Sequence, residues 1–451
     1  MMTRFTDLAA PGRVKYGRDG LWSDELIVMT GHVDTAASLP HTAEMERSSK
    51  APVNGFNRRA LIASAAAAAV TATASQARAG EPTVRVGYLR WTQRRPTISL
   101  LDKPAADDGL AGAKLAIDDN NTTGRFLNQQ FALADIPLRE GDDPGNAVQS
   151  AAAQDIVLVI TDAPAPQLLA VAAAAATRGM TVFNIAAEDD ALRQESCRAD
   201  MIHVAPSRAM LADAMAQYLV WKKWSRWVLA YGSHPDDALL ADAYRRSAKR
   251  FGARIVKELQ YKDTGGARQT DSGVVQTQQQ MPVFTQGLPD YDVLVTADEN
   301  EVFAGYLPYR TWDARPVVGS AGLRPVSWSP SSESWGGAQL QDRFNRVAHR
   351  RMTPLDMQAW TACRMIGEAA SRGGSTDPAK IMQDIKSPDF GIAAYKGQKL
   401  TLRDWDLQLR QPILLDDGRS VVSISPQPGF LHQVTELDTL GFDRPETRCK
   451  L

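Results

Sequence analysis

Cysteine is scarce in this 451-residue chain, with three residues in all and no C-x-x-C. A disulfide-rich scaffold and a cysteine-based metal or redox motif are therefore excluded. An excess of one charge is missing too. The 51 Lys and Arg nearly cancel the 52 Asp and Glu, for a net charge of -1. Nucleic-acid proteins usually carry a basic face, so that partner class is set aside. After residue 80 no apolar run reaches the ~20 residues that a membrane span needs. Catalytic signatures are absent as well. There is no G-x-x-x-x-G-K-S/T, no G-x-G-x-x-G after a strand, no G-x-S-x-G and no H-E-x-x-H. After residue 79 only His203, His234, His349 and His432 remain. The pairs Asp107-Asp108, Asp118-Asp119 and Asp236-Asp237 suggest acid/base or metal chemistry, but neighbours on a helix point about 100° apart. Complementing a helix start explains the first and third pairs better. These absences weigh against an enzyme.

What is present begins with an export signal. Asn57, Arg58 and Arg59 precede an Ala-rich apolar stretch over 60–74, and Ala77-Arg78-Ala79 follows. A positive segment, a short apolar core and an A-x-A site make a secretory signal cleaved after about Ala79. The Arg pair fits either the Sec or the twin-arginine route. Residues 1–79 are thus read as a leader. Translation starting at Met45, with 45–79 as the signal peptide, is one reading; an unusually long leader is the other. The predicted location is the periplasm. There a disulfide persists, and Cys197 and Cys449, both in polar irregular stretches, are the expected pair. Cys363, in a helical pattern, is expected to be a buried thiol.

From residue 84 short β-branched runs alternate with helical periodicity. Strands are predicted over 84–89, 131–138, 156–161 and 181–186, with helices over 108–120, 146–154 and 167–178. A second series follows: strands over 202–205, 227–232, 254–261, 291–297 and 315–320, and helices over 208–221, with Ser207 as cap, and 236–251. The polar stretch 262–286 reads as a surface excursion. Helices over 337–351, 355–371 and 378–385 come next, then an alternating run over 399–415 and a hairpin to 420–424 through Asp416-Asp417-Gly418. Such β-α alternation implies two doubly wound α/β lobes. The first lobe starts with 80–206, the second is mainly 207–315, and 316–451 returns to the first through hinge crossovers and a C-terminal segment.

This plan, with the segment 108–117 (DGLAGAKLAI) followed by Asn120-Asn121, resembles the type I periplasmic binding proteins, the leucine-binding class of ABC importers. Within that class, 107–113 with 119–126, the string 405–414 (WDLQLRQPIL) and 429–433 (GFLHQ) are similar to a subfamily associated with pyrroloquinoline quinone (PQQ)-dependent alcohol oxidation. The resemblance implies a solute-binding protein, monomeric and not an enzyme, that captures a small anionic ligand between two multi-strand-hinged lobes. The ligand would be PQQ or a compound linked to alcohol catabolism, bound as cargo and not as a catalytic cofactor. The partner would be an inner-membrane ABC permease.

Ligands in doubly wound sheets sit beyond the carboxyl ends of strands. After the first strand come Arg90, Trp91, Arg94 and Arg95. Arg forks pair with carboxylates and Trp stacks on flat rings, which suits a planar tricarboxylate; a solvated basic loop is the competing reading. Other strand ends offer Asp162, Ala187 with Glu188, and Tyr231 with His234. Asn300 follows Asp298 and Glu299. Ser207 and Arg208 open a helix whose N-terminus favours anions. Trp335 is a stacking candidate near the return crossover, and Trp328 is expected to pack. Competing readings of function are a sensor or scavenger of the same fold without a transporter, and an accessory subunit of a quinoprotein dehydrogenase.

Overall fold

The computed structural model of the chain describes residues 83–92, 103–263 and 276–451. The expected leader, Arg94 and Arg95 lie outside the described residues.

Strand β1 (Thr83–Thr92) lies between β2 (Gln130–Arg139) and β3 (Leu158–Thr161), and β4 (Thr181–Asn184) and β5 (Met201–His203) complete the sheet. The order is β2-β1-β3-β4-β5 and every pairing is parallel. Parallel neighbours need crossovers that cover the sheet faces. Helices α1 (Leu110–Leu127), α2 (Pro144–Ala152) and α3 (Ala165–Ala176) supply them. Strand alternation then divides the core. Leu158, Ile160, Phe183 and Ile202 join α1 on one face, and Val159, Val182 and Met201 join α2 and α3 on the other. Each such side chain contributes ~1.5–3 kcal/mol by leaving water.

The second lobe runs α4 (Arg208–Trp221), β6 (Arg226–Tyr231), α5 (Pro235–Phe251), β7 (Arg254–Gln260), α6 (Thr277–Phe284), β8 (Val293–Ala297), α7 (Leu307–Arg310) and β9 (Val317–Gly319). Its parallel sheet is ordered β7-β6-β8-β9. The Ser207 hydroxyl caps α4 by accepting from the Met210 N–H. Within the expected surface excursion over 262–286, Thr277–Phe284 forms helix α6. Met281, buried among Tyr261 and Phe303, anchors this Gln-rich helix, which contains the helix-breaking Pro282.

The remaining elements are β10 (Arg324–Val326), α8 (Gly337–Ala348), α9 (Pro354–Gly373), α10 (Pro378–Ile385), β11 (Ile392–Ala393), β12 (Lys399–Leu400), β13 (Ile413–Asp416) and β14 (Val421–Ser425). Helices α8 and α9 return to the first lobe. Ala113, Ala116 and Ile117 of α1 share a core with Ala359, Ala362, Cys363 and Ile366 of α9. The helices touch closely because both carry glycine at the contact. A Cβ on Gly112 would overlap the Asp356 backbone, and one on Gly367 would overlap the Asn120 amide. The Asn120 amide in turn donates to the Cys363 carbonyl at 2.9 Å. The Cys363 thiol is fully buried, and burial pushes its pKa up to about 12.

Two sequence expectations change here. Asp107 and Asp108 stand in the turn before α1 and not in its first turn, and their side chains reach Arg350 and Thr353 at the α8–α9 junction. The hairpin β13–β14 forms antiparallel as expected. However, 399–412 is a strand only at β12, because its polar groups bond across to 203–205.

The chain passes between the two sheets three times, through 204–207, through 327–336 and through 401–412. The third passage is the densest. Leu409 N–H donates to the His203 carbonyl at 2.8 Å. The Gln408 amide donates to the carbonyls of His203 and Ala205, and Gln411 to that of Val204. Cys197 and Cys449 form a disulfide with an S–S distance of 2.06 Å.

Candidate functional site

The carboxyl end of β4 in one sheet, and those of β6 and β8 in the other, meet at the start of α4. Arg208, the first residue of α4, is only 5% exposed although it is charged. Its guanidinium forks onto Glu299, beyond β8, at 2.5 and 2.7 Å. It also pairs with Asp189, beyond β4, at 3.1 Å, and reaches Asp236, in the first turn of α5, at 3.7 Å. The Arg208 N–H donates to the Glu188 carbonyl at 2.8 Å. One cation thus ties carboxylates from both lobes, and the carboxylates outnumber it. Burial raises the Glu188 pKa to about 8, with Glu299's charge the next cause. Burial also raises Glu299, against the pull of Arg208, and Asp298.

Supporting residues hold this arrangement. Asp237 accepts from the His234 and Glu299 N–H groups at 3.0 and 2.8 Å and from the Asn300 amide at 3.2 Å, joining the β6 and β8 loops. Asp298 accepts from the N–H groups of Val302, Phe303 and Ala304. Arg193 is fully buried and donates to the carbonyls of Ala187, Asp189 and Ala205 and to the Gln408 side chain. It therefore locks the β4 loop to the first and third passages between the lobes. Burial lowers its pKa to about 10.

The residues singled out from sequence fall into separate places. Ala187, Ser207, Arg208 and Asn300 come together in this cluster. Asp162 sits beneath β1, accepting from the Tyr88 hydroxyl at 3.0 Å and from the Trp91 N–H. Burial, and then this contact, raise the Tyr88 pKa well above normal. Arg90 forks onto Asp135 of β2 at 3.0 and 3.1 Å, and the half-buried Trp91 packs on the core under α2 and α3. His234 pairs with Asp263 at 2.9 Å, and the Tyr231 ring lies 5.0 Å under Arg245. Trp335 is 56% exposed and its ring lies against Gly397, while Trp328 is buried. Asp189 and Arg193 were not foreseen. The acidic run Glu188-Asp189-Asp190 after a strand was the available signal; a lone buried Arg leaves none. The strings 107–126 and 405–414 build the α1–α9 contact and the third passage. Among the described residues, no group of three His, Cys, Asp or Glu is arranged to hold a metal ion, and no helix is long and apolar enough to cross a membrane.

Residues 101–281 match the periplasmic binding protein family. No curated protein matches the sequence. A periplasmic binding protein from Burkholderia mallei is similar in structure with a TM-score of 0.59 at 16% identity, over 82% of this chain and 99% of that one. The chain has the type I periplasmic binding protein fold. Two further structures share it. One is a branched-chain amino acid transporter substrate-binding protein from Streptococcus pneumoniae in complex with isoleucine (TM-score 0.56, 14% identity, 76% of this chain and 98% of that one). The other is an ABC-transporter solute-binding protein from Rhodopseudomonas palustris in complex with 3,4-dihydroxybenzoic acid (0.52, 12%, 75% and 93%). In this type I fold the Arg208 cluster stands at the ends of strands from both sheets, where doubly wound proteins take ligands.

Proposed function

We propose that this protein captures a small molecule between its two lobes in the periplasm and hands it, as a monomer, to an ABC permease, without catalysing a reaction. The observation that carries this reading is the meeting of Asp189, Arg208 and Glu299 across the lobes at the strand ends. A solute that added contacts to both sides there would favour the closed form by its differential affinity. The solved relatives in complex with isoleucine and with 3,4-dihydroxybenzoic acid support a small organic ligand.

PQQ is the finer candidate, resting on the subfamily resemblance and on Arg94 and Arg95. The carboxylates around Arg208 disfavour a trianion beside that residue and favour a ligand presenting an ammonium or hydrogen-bond donors there. A titration followed by Trp fluorescence separates these ligands. PQQ, isoleucine, 3,4-dihydroxybenzoate and a diamine are each added to the protein up to ~1 mM, where binding of about 4 kcal/mol is detectable. Saturable binding of PQQ that is weakened more than tenfold by R94A/R95A supports PQQ as the cargo. Silence toward PQQ removes that ligand, and silence toward all four, repeated with a wider set of metabolites, removes solute capture.

A further inference from the structure

The C-terminal segment crosses between the lobes once more. Asp438 accepts from Arg403 and Arg410 of the third passage at 2.9 and 2.8 Å. Leu440 is buried against Met210, Leu211 and Ala214 of α4. The Gly441 N–H donates to Asp213 of α4 at 2.8 Å, and the Gly441 carbonyl accepts from Arg246 and Arg250 of α5. Glu446 pairs with the same two arginines at 3.2 and 3.5 Å. Up to this point the segment belongs to the second lobe. Two residues later the Arg448 N–H donates to the Gln194 side chain at 2.8 Å, and Cys449 is bonded to Cys197. Gln194 and Cys197 lie between β4 and β5 of the first lobe. Only Thr447 and Arg448 separate the anchor on one lobe from the covalent bond on the other.

We infer that residues 436–449 form a strap that restrains relative motion of the two lobes, and that reducing the Cys197–Cys449 disulfide releases it. The three peptide passages allow hinge rotation. The strap adds a fourth link that is covalent at its far end only while the disulfide is intact. From Glu446 to Cys449 the chain spans at most about 10 Å at ~3.5 Å per residue, so lobe separation along this edge is capped unless the tail leaves α5. Both cysteines are half-buried, within reach of a small thiol. A dithiol reductant supplies two electrons and two protons: the S–S bond breaks, two thiols form, and the reductant becomes its own disulfide. The inference rests on the two-lobe hinge of the reading above, but not on the identity of the solute.

The test places a fluorophore on each lobe, leaving the cysteines untouched. Phe126 of α1 and Tyr309 of α7 are 87% and 88% exposed. A click-reactive phenylalanine analogue is introduced at both sites in the oxidised, exported protein, and single-molecule energy transfer is recorded. The expected result is a broader distance distribution after reduction, reproduced by Cys449→Ser under oxidising conditions, with the circular dichroism unchanged. Superimposable distributions in the oxidised and reduced wild-type protein, with loss of the disulfide confirmed by mass spectrometry, would overturn the strap. Loss of folding in the variant would leave the reduced wild type to decide. A distribution that no solute shifts in either redox state counts against solute capture and leaves the strap standing.

Discussion

The Arg208 guanidinium and the Glu299 carboxylate form a two-pronged ion pair, at 2.5 and 2.7 Å, at the junction of the lobes. Removing the cation leaves the carboxylates of Glu299 and Asp189 without the guanidinium that joins them. Breaking one side of a buried pair costs about 3–5 kcal/mol. Arg208→Ala is therefore expected to lower the urea midpoint strongly. Arg208→Lys should recover little, because a lysine lacks the fork. Urea unfolding of the three proteins checks this; near-equal midpoints for wild type and Arg208→Ala would count against the pair as an organising contact.

Glu188 gives a pH dependence with a definite sign. Its pKa rises from 4.5 to about 8 in the folded protein. The native state thus holds a proton that the unfolded chain releases, so its contribution to stability falls as pH climbs from about 4.5 to 8. Glu188→Gln should flatten the thermal-stability profile over that window and be most stabilising near pH 8. Parallel slopes for the two proteins would contradict the assignment.

Lys396 behaves oppositely. It is 6% exposed with its ammonium on Gln411, and burial lowers its pKa from 10.5 to about 7. The unfolded chain binds the proton more readily. The penalty is full below about pH 7 and fades as pH rises toward 10.5. Lys396→Met keeps the volume and removes the penalty. Its melting temperature should exceed that of the wild type at pH 6, by a margin that shrinks at pH 9.

The α1–α9 contact leaves no room at Gly112. Overpacking a tight core costs ~1–3 kcal/mol, and more where the obstacle is backbone. Gly112→Val is expected to lower stability by at least this amount in chemical denaturation. Val at Gly179, where no atom lies near, is the wrong control, because the φ of +65° there would strain any β-branched residue. Lys114→Val, on the exposed face of the same helix, is the appropriate one.

Much of this molecule is legible along the chain. Unbroken apolar runs such as 158–161 and 293–297 announce strands covered on both faces, and helical periodicity between them announces the crossovers. Ser207 reads as a cap because its hydroxyl acts locally, on an N–H three residues away. Local signals failed where distant groups decide. Arg90 looks like a ligand arm until β2 brings Asp135 alongside. The string 405–414 carries a family resemblance along the chain, but only the fold shows that Gln408 and Gln411 use their amides on carbonyls some two hundred residues earlier.

The sequence by itself determined the two α/β lobes, because the periodicity of buried side chains is a property of neighbours in the chain. The tertiary structure alone decided which charges meet. Arg208 lies between Asp189 and Glu299 only after two sheets and three passages have folded; the Cys197–Cys449 pair was expected from the polar irregular stretches that hold the two cysteines, and the fold supplies only their closeness. Coulomb forces and covalent reach depend on distance in space, and sequence spacing does not carry it.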